Sequence, residues 1–304
     1  MLLRHIRYFL AVAEHGNFTR AAEALHVSQP TLSQQMKQLE DVLGAQLLDR
    51  SGRTIRLTDA GEAYAQYARR AVQDLDAGKR AIHDARDLTR GDLRLAMTPT
   101  FTAYLVGPLV ARFHDRYPGI NLSVLEMNQD QIEAMLAQDE LDIGIGFMDA
   151  RSADVESQAW FVEALALVVG KRHPYATRQQ PLSLREFANE PRVLLNGDFA
   201  TRVHIDRHCQ QRGIKPRIAI EANSVGGIIE MVQHSDRLAT VLPEEVAHHH
   251  EGLCPMMLID GVPQRTVALL QRRGAYRTAA CRAFVEMALE WKGADVHPPV
   301  LPTP

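Results

Sequence analysis

The stretch Phe18-Thr19-Arg20-Ala21-Ala22-Glu23-Ala24-Leu25-His26-Val27-Ser28-Gln29-Pro30-Thr31-Leu32-Ser33-Gln34-Gln35-Met36 decides the N-terminal fold. Two short helical patterns flank a tight break, and Val27 sits in that break as an apolar plug. Ala21, Ala22, Leu25, Leu32, Met36 and Leu39 recur at helical spacing, so one helix can pack across the other. The small Ala21 and Ala22 permit the close crossing that a helix-turn-helix requires. Ser28 is a good N-cap, and Pro30 suits a first turn, where its missing N–H costs nothing. The second helix then presents Gln29, Thr31, Ser33, Gln34 and Lys37. Gln pairs bidentately with adenine edges, and Ser or Thr contacts bases or phosphates.

Working outward, the run Leu47-Leu48-Asp49-Arg50-Ser51-Gly52-Arg53-Thr54-Ile55-Arg56-Leu57-Thr58 places a Ser-Gly turn between two short extended segments. This spacing predicts a small hairpin. Arg50, Arg53 and Arg56 surround the turn, and guanidinium forks match phosphate oxygens. A helix-turn-helix followed by a basic hairpin is a winged DNA-binding domain, predicted over residues 1–58.

From Thr58-Asp59-Ala60-Gly61-Glu62 a long helix is predicted as far as about Leu88, with Thr58 or Asp59 as its cap. Tyr64, Ala68, Ala71, Leu75, Gly78, Ile82 and Ala85 are spaced alternately by four and three. That is a heptad seam, and residues 59–89 are therefore expected to join two copies of the chain.

After Thr89-Arg90-Gly91-Asp92 the pattern changes to alternating strands and helices. Strands are predicted at Leu93–Met97, Ile120–Glu126, Leu141–Gly146, Ala164–Gly170, Val193–Leu195, Ile218–Glu221, Leu238–Leu242 and Thr266–Gln271. Helices are predicted at Thr102–Tyr117, Gln129–Gln138, Thr201–Arg212, Ser224–His234 and Thr278–Trp291. Such alternation implies parallel sheets with helices on both faces. The expected fold class is thus α/β, an all-α winged helix-turn-helix followed by a two-lobed domain. That domain spans 90–292, with one lobe from 90–162 and 266–292 and the other from 163–265. Residues 293–304, rich in Pro, are expected to be a disordered tail.

Two α/β halves enclose a cleft, and small ligands bind such sheets beyond the carboxyl ends of strands. Thr98-Pro99-Thr100-Phe101-Thr102 follows the first strand of the cleft as a helix opens. Its three hydroxyls serve either as ordinary helix caps or as donors to a small anion. Thr201-Arg202 and Asn223-Ser224 open two further helices, and Phe147 ends a strand. The expected effector set is Thr98, Thr100, Thr102, Phe147, Thr201, Arg202 and Asn223. Hydroxyl and amide donors with little fixed charge suit a small monoanion rather than a large aromatic acid.

The chain of 304 residues is 46% hydrophobic and 23% charged, the balance of a globular protein. Residues 1–90 carry 13 Lys/Arg against 11 Asp/Glu, and the remainder 21 against 26, so only the N-terminal part is basic. The longest apolar run, Ala164 to Val169, is far too short for a membrane span. Cys209, Cys254 and Cys281 are odd in number and widely spaced, which suits a reducing cytoplasm. No nucleophile elbow, phosphate loop or zinc-protease pattern is present, so neither catalytic residues nor a cofactor are expected. His248-His249-His250 is adjacent rather than i, i+4, which favours a solvated loop over a metal site. Lys171-Arg172-His173 reads as a surface turn, and Cys209 and Cys281 as structural residues on helices. A transporter's solute-binding protein would fit the second half alone but leaves the winged helix without a purpose.

Phe18 to Glu40, Asp49 to Thr58 with Asp59-Ala60-Gly61, and Leu141-Asp142-Ile143-Gly144-Ile145 resemble the LysR-type transcriptional regulators. The resemblance covers residues 1–292. Arg50 to Leu57, Lys79-Arg80-Ala81-Ile82-His83-Asp84, Thr98 to Thr102 and Ile220-Glu221-Ala222-Asn223-Ser224 are similar to cyanate-responsive members of that family. The resemblance implies operator DNA as a partner, with Gln29, Pro30, Thr31, Ser33 and Gln34 at the groove-facing end of the recognition helix. Many relatives carry Arg in that helix where this chain has Gln34. It also implies homodimers that assemble into tetramers on DNA, RNA polymerase as a further partner, and an inducer at Thr98–Thr102. The implied effector is cyanate or a similar small anion, with a small organic acid as the alternative.

Overall fold

The computed structural model describes residues 2–52, 54–84, 88–178, 180–183, 186, 190–256 and 263–291. Arg53 of the predicted wing, Ala85 of the predicted seam and the predicted tail 293–304 lie outside the described residues. The chain divides into two compact units, Met1–His83 and Asp84–Pro304.

The first unit opens with α1 (Leu3–His15), α2 (Phe18–Ala24) and α3 (Gln29–Leu43). The sequence reading did not mark α1. It ends at Gly16, whose φ of 58° is the left-handed conformation that glycine adopts without strain. Ile6, Phe9 and Val12 of α1 pack with Ala21, Ala22, Leu32, Met36 and Leu39 into one core. Asn17 caps α2 by accepting the N–H of Thr19 and Arg20 at 2.8 and 3.1 Å. Ser28 caps α3 by accepting the N–H of Thr31 at 3.3 Å, and Pro30 occupies the first turn. Val27 is partly buried against the same core, in the break as expected.

Strands β1 (Leu48–Asp49) and β2 (Arg56–Leu57) form the antiparallel hairpin, with Leu48 opposite Leu57 and Asp49 opposite Arg56. Next, α4 (Asp59–Asp84) begins where the Thr58 hydroxyl accepts the Gly61 N–H at 3.0 Å. A Cβ on Gly61 would stand 2.0 Å from the Leu47 carbonyl oxygen, so only glycine admits this approach of helix to hairpin. The predicted seam divides along α4. Ala68 is buried in the core of its own unit, and Tyr64 packs there too, 5.3 Å from the Phe9 ring. Those two positions are corrected: they are occupied within one chain. Ala71, Leu75, Gly78 and Ile82 are exposed, Leu75 at 50% and Ile82 at 73%, beside Tyr67 at 71%.

The second unit begins with β3 (Gly91–Met97), α5 (Pro99–Thr102), α6 (Val106–Arg116), β4 (Ile120–Glu126), α7 (Gln129–Ala137) and β5 (Ile143–Phe147). It continues through β6 (Val155–Gly170), β7 (Arg192–Leu195), α8 (Ala200–Gln211), β8 (Ile218–Ala222) and α9 (Val225–Gln233). Last come β9 (Ala239–Pro243), α10 (Glu244–His249), β10 (Leu253–Met256), β11 (Gln264–Arg272) and α11 (Ala279–Glu290). The sheet order is β4-β3-β5-β11-β6-β9-β7-β8, with β10 also on β6.

Four expectations need correction. The sheet is mixed, because β6 and β11 run antiparallel through its middle while β3 pairs with β4 and β5, and β7 with β8 and β9, in parallel. The strand expected at Ala164 is the second half of β6, whose first half opens with the polar run Glu156-Ser157-Gln158 and is cut off from the apolar second half by Glu163. The helix expected from Thr102 to Tyr117 is broken after Thr102, since Pro108 lacks an N–H and is accommodated in the first turn of a new helix, α6. His248 and His249 end the short helix α10 rather than lying in a loop.

Helices cover both faces of the sheet. Phe113 of α6 and Phe284 of α11 pack ring to ring at 5.3 Å on one side. Ile132 and Leu136 of α7 pack on the other with Leu270, which requires the bare Gly144, where a Cβ would meet Ile132 Cγ2 at 2.4 Å. Asp142 of the Leu141–Ile145 motif is structural: it accepts the backbone N–H of Arg94 at 2.8 Å and the Arg94 guanidinium at 2.8 and 3.2 Å. Among the described residues no helix is long and apolar enough to cross a membrane.

Candidate DNA-binding helix and effector cleft

On α3 the residues Gln29, Pro30, Thr31, Gln34 and Lys37 are exposed, while Ser33 is half-buried. They line the outer face because Leu32, Met36 and Leu39 turn inward. The Ser28 and Thr31 hydroxyls are 2.7 Å apart, so the cap also fixes the rotamer of Thr31. Gln35 bridges His5 at 2.8 Å and Gln38 at 3.0 Å, tying α3 to α1.

In the hairpin, Arg56 is exposed opposite Asp49. The backbone N–H and hydroxyl of Ser51, with Arg56 nearby, hold the Asp49 carboxyl below the usual range. Arg50 is differently placed. Its guanidinium donates to Glu40 at 2.8 Å and lies 5.3 Å from the Phe18 ring centre. Glu40 in turn accepts the backbone N–H groups of Leu47 and Leu48 at 2.9 and 3.1 Å. Arg50, expected as a phosphate contact, is thus the outer end of a strut joining α3 to the hairpin.

In the second unit, a cleft of about 220 Å³, counted out to its open mouth, is lined by Thr98, Pro99, Thr100, Asn128, Gln129, Phe147, Phe199, Ala200 and Thr201. The structure brings Thr98, Thr100, Phe147 and Thr201 together here, as the sequence predicted. Three other expected residues are not in its lining. The Thr102 hydroxyl is spent on the Pro99 carbonyl at 2.7 Å and the Glu126 carboxylate at 2.6 Å. Arg202 turns to Asp206, Glu221 and the Leu195 carbonyl at 2.6–3.0 Å. Asn223 is exposed beside Ser224, the cap of α9.

Thr98 is 5% exposed, and its hydroxyl has no hydrogen-bond partner among the described residues. Facing it, the first turn of α8 carries no side-chain cap. Gln129 is 8% exposed and closes the floor, its carbonyl accepting the Phe147 N–H at 2.9 Å and its amide donating to Glu133 at 3.0 Å.

Behind the lining lies a group that sequence reasoning missed. Arg265 on β11 stands directly opposite Glu163 on β6, and the two form an ion pair with side chains 5% and 0% exposed. Arg265 donates its other nitrogens to Thr201 at 2.8 Å and Thr100 at 3.5 Å, and its guanidinium carbon lies 3.9 Å from the Phe147 ring centre. The Tyr104 hydroxyl donates to the second Glu163 oxygen at 2.6 Å. Burial, then the Glu163 charge, raises the Tyr104 phenol well above its ordinary value. Burial, with help from Glu163, also pushes the Glu245 carboxyl up to about 7. The expectation of little fixed charge is therefore corrected: charge is present, but internally paired. The only advance sign was an Arg and a Glu in strands otherwise rich in apolar residues.

A helix-turn-helix with a basic-edged hairpin, followed by a two-sheet-half domain with a donor-lined cleft, is the architecture of a DNA-binding regulator. Residues 3–62 match the family described as bacterial regulatory helix-turn-helix protein, lysR family, and residues 86–293 match LysR substrate binding domain. The chain belongs to the LysR family of transcriptional regulators. It is 31% identical over 297 residues to the RuBisCO operon transcriptional regulator of Allochromatium vinosum, covering 97% of each chain. It is 29% identical over 277 residues to a hydrogen peroxide-inducible genes activator of Pectobacterium carotovorum subsp. carotovorum, covering 90% of this chain and 91% of that one. Its structure is similar to that of full-length CbnR complexed with target DNA, with a TM-score of 0.61 at 26% identity, covering 95% of this chain and 99% of that chain.

Proposed function

We propose that this LysR-family regulator binds operator DNA through α3 and the hairpin and responds to a small anion held in the Thr98–Thr201 cleft. The observation that carries the effector reading is the partnerless, buried Thr98 hydroxyl facing the uncapped first turn of α8. Free N–H groups at a helix start, with a hydroxyl donor opposite, suit negative charge. Cyanate belongs to this chemical class and so does a short organic acid; the relatives reported above carry names tied to the RuBisCO operon and to hydrogen peroxide.

Cys209 and Cys281 are poor candidates for sensing peroxide. A reactive thiol needs access and a lowered pKa. Cys209 and Cys281 are both buried, and burial pushes the Cys209 thiol up and the Cys281 thiol up to about 12.

The exposed Leu75, Gly78 and Ile82 side of α4 supports a homodimer seam, with tetramers forming from such dimers on DNA. An occupied cleft shifts the balance between arrangements of that assembly in proportion to its preference for one of them, and RNA polymerase reads the outcome. The test is Thr98→Val, which keeps the shape and removes the donor. Titrated with cyanate and acetate, the variant needs about tenfold more anion to change its operator complex, while its basal DNA affinity is unchanged. An identical anion response in the variant contradicts the reading.

A further inference from the structure

We infer that Arg265 is a positioning residue that turns the hydroxyl protons of the cleft toward its ligand, so that the cleft prefers an acceptor group such as a carboxylate or another oxyanion. The inference rests on the small-anion reading above and adds the means of selection.

A guanidinium has donors and no acceptor. Where Arg265 meets Thr201 at 2.8 Å and Thr100 at 3.5 Å, both hydroxyl oxygens must accept. Each hydroxyl has one proton, and Arg265 is its sole hydrogen-bond partner among the described residues. Both protons are therefore left for whatever enters the cleft that these threonines line. Thr98 adds a third hydroxyl.

Apart from the threonine oxygens, the side-chain acceptors in the lining and the Phe147 carbonyl are already engaged. The Gln129 carbonyl takes the Phe147 N–H at 2.9 Å, the Phe147 carbonyl takes the Gln129 amide at 3.3 Å, and the Asn128 carbonyl takes the Gln131 N–H at 2.9 Å. Each threonine oxygen keeps a lone pair, but three hydroxyl protons are unspent and the other lining acceptors are engaged, so a carboxylate makes more bonds here than an amide, and an ammonium fewest. Unspent buried donors discriminate strongly against a ligand that leaves them unpaired. Glu163, wholly buried and directly opposite on β6, holds Arg265 through its Nε, and Tyr104 fixes Glu163 from the other side. Arg265 thus works through the two threonines.

The experiment compares the full-length protein with E163Q/R265M, which removes the buried pair together and leaves no lone charge, and with R265K. Each is titrated at matched ionic strength with the carboxylate series from acetate to hexanoate, each acid beside its primary amide, by calorimetry. For the best-binding chain length, the wild type prefers carboxylate over amide by about a hundredfold, and the double variant by about threefold or less. R265K, still donor-only, keeps a preference above about tenfold. Should the double variant lose its native circular dichroism, Thr201→Val takes its place: carboxylate affinity falls about tenfold and amide affinity holds. An undiminished preference in E163Q/R265M, or equal losses for acid and amide in Thr201→Val, overturns the role of Arg265 and leaves the anion cleft standing. A wild type that binds none of the carboxylates overturns the anion cleft, and this inference with it.

Discussion

Replacing Glu40 by Ala removes the centre of the strut between α3 and the hairpin. One Glu40 oxygen accepts the N–H groups of Leu47 and Leu48 at 2.9 and 3.1 Å, and the other accepts Arg50 at 2.8 Å. Leu47 and Leu48 are each 2% exposed, so water cannot readily replace the lost acceptor. An orphaned buried N–H costs about 1–3 kcal/mol, which puts the pair at roughly 2–6 kcal/mol of local stability. The Arg50 contact adds little, since its guanidinium side chain is 40% exposed and a surface ion pair contributes about 0–1 kcal/mol. At about 1.4 kcal/mol per factor of ten, amide protection at Leu47 and Leu48 falls by roughly 30-fold to 20,000-fold, as far as local opening governs exchange. Hydrogen exchange with mass spectrometry on peptides spanning the hairpin reads this directly. Glu40→Gln keeps a carbonyl acceptor for both N–H groups and retains most of the protection. Wild-type protection in Glu40→Ala refutes the strut; equal loss in Glu40→Gln refutes the assignment of the effect to the acceptor rather than the charge.

Three further outcomes follow from the geometry. Leu75→Asp puts a charge into the exposed apolar side of α4 and gives monomers in sedimentation velocity; a variant that stays fully dimeric removes that side as the seam. Arg56→Ala weakens binding to all DNA sequences and makes the slope of log K against log salt shallower by about one, whereas Arg50→Ala changes it less, because Arg50 is already paired with Glu40. Glu245, pushed up to about 7 from an ordinary 4.5, binds its proton more tightly folded than unfolded. Stability therefore falls as pH rises from about 4.5 to about 7 and stays lowered above. Glu245→Gln removes that slope: its thermal midpoint matches the wild type near pH 4.5 and exceeds it above pH 7. Parallel midpoints across this range contradict the assignment.

The features legible in the sequence are those written over a few consecutive residues. The Ser28 cap, Pro30 and the inward Leu32, Met36 and Leu39 placed α3 and its outward Gln and Thr side chains without tertiary information. Apolar runs located most strands, and turn residues the hairpin. What was not legible depends on pairing between distant segments. Glu163 and Arg265 are 102 residues apart, and only the β6–β11 register sets them opposite each other. The first half of β6 escaped notice because three consecutive polar residues, Glu156 to Gln158, open it and Glu163 interrupts its apolar stretch. Arg202 looked like a ligand residue because it opens α8, yet Asp206 four residues on was a nearer partner, as helical geometry allows. Tyr64 and Ala68 fitted the heptad seam but serve the core of their own unit, since heptad spacing does not say which neighbour fills it.

Sequence reading by α3 is tested most directly by one comparison. A site is first selected from random-sequence duplexes by the wild-type protein. Fluorescence anisotropy at fixed salt then compares wild type and Gln29→Ala on that site and on scrambled DNA. Loss of a bidentate base contact costs about 1–3 kcal/mol on the selected site and much less on scrambled DNA. Equal losses on both, or no loss on either, contradict the claim that the exposed start of α3 reads base edges.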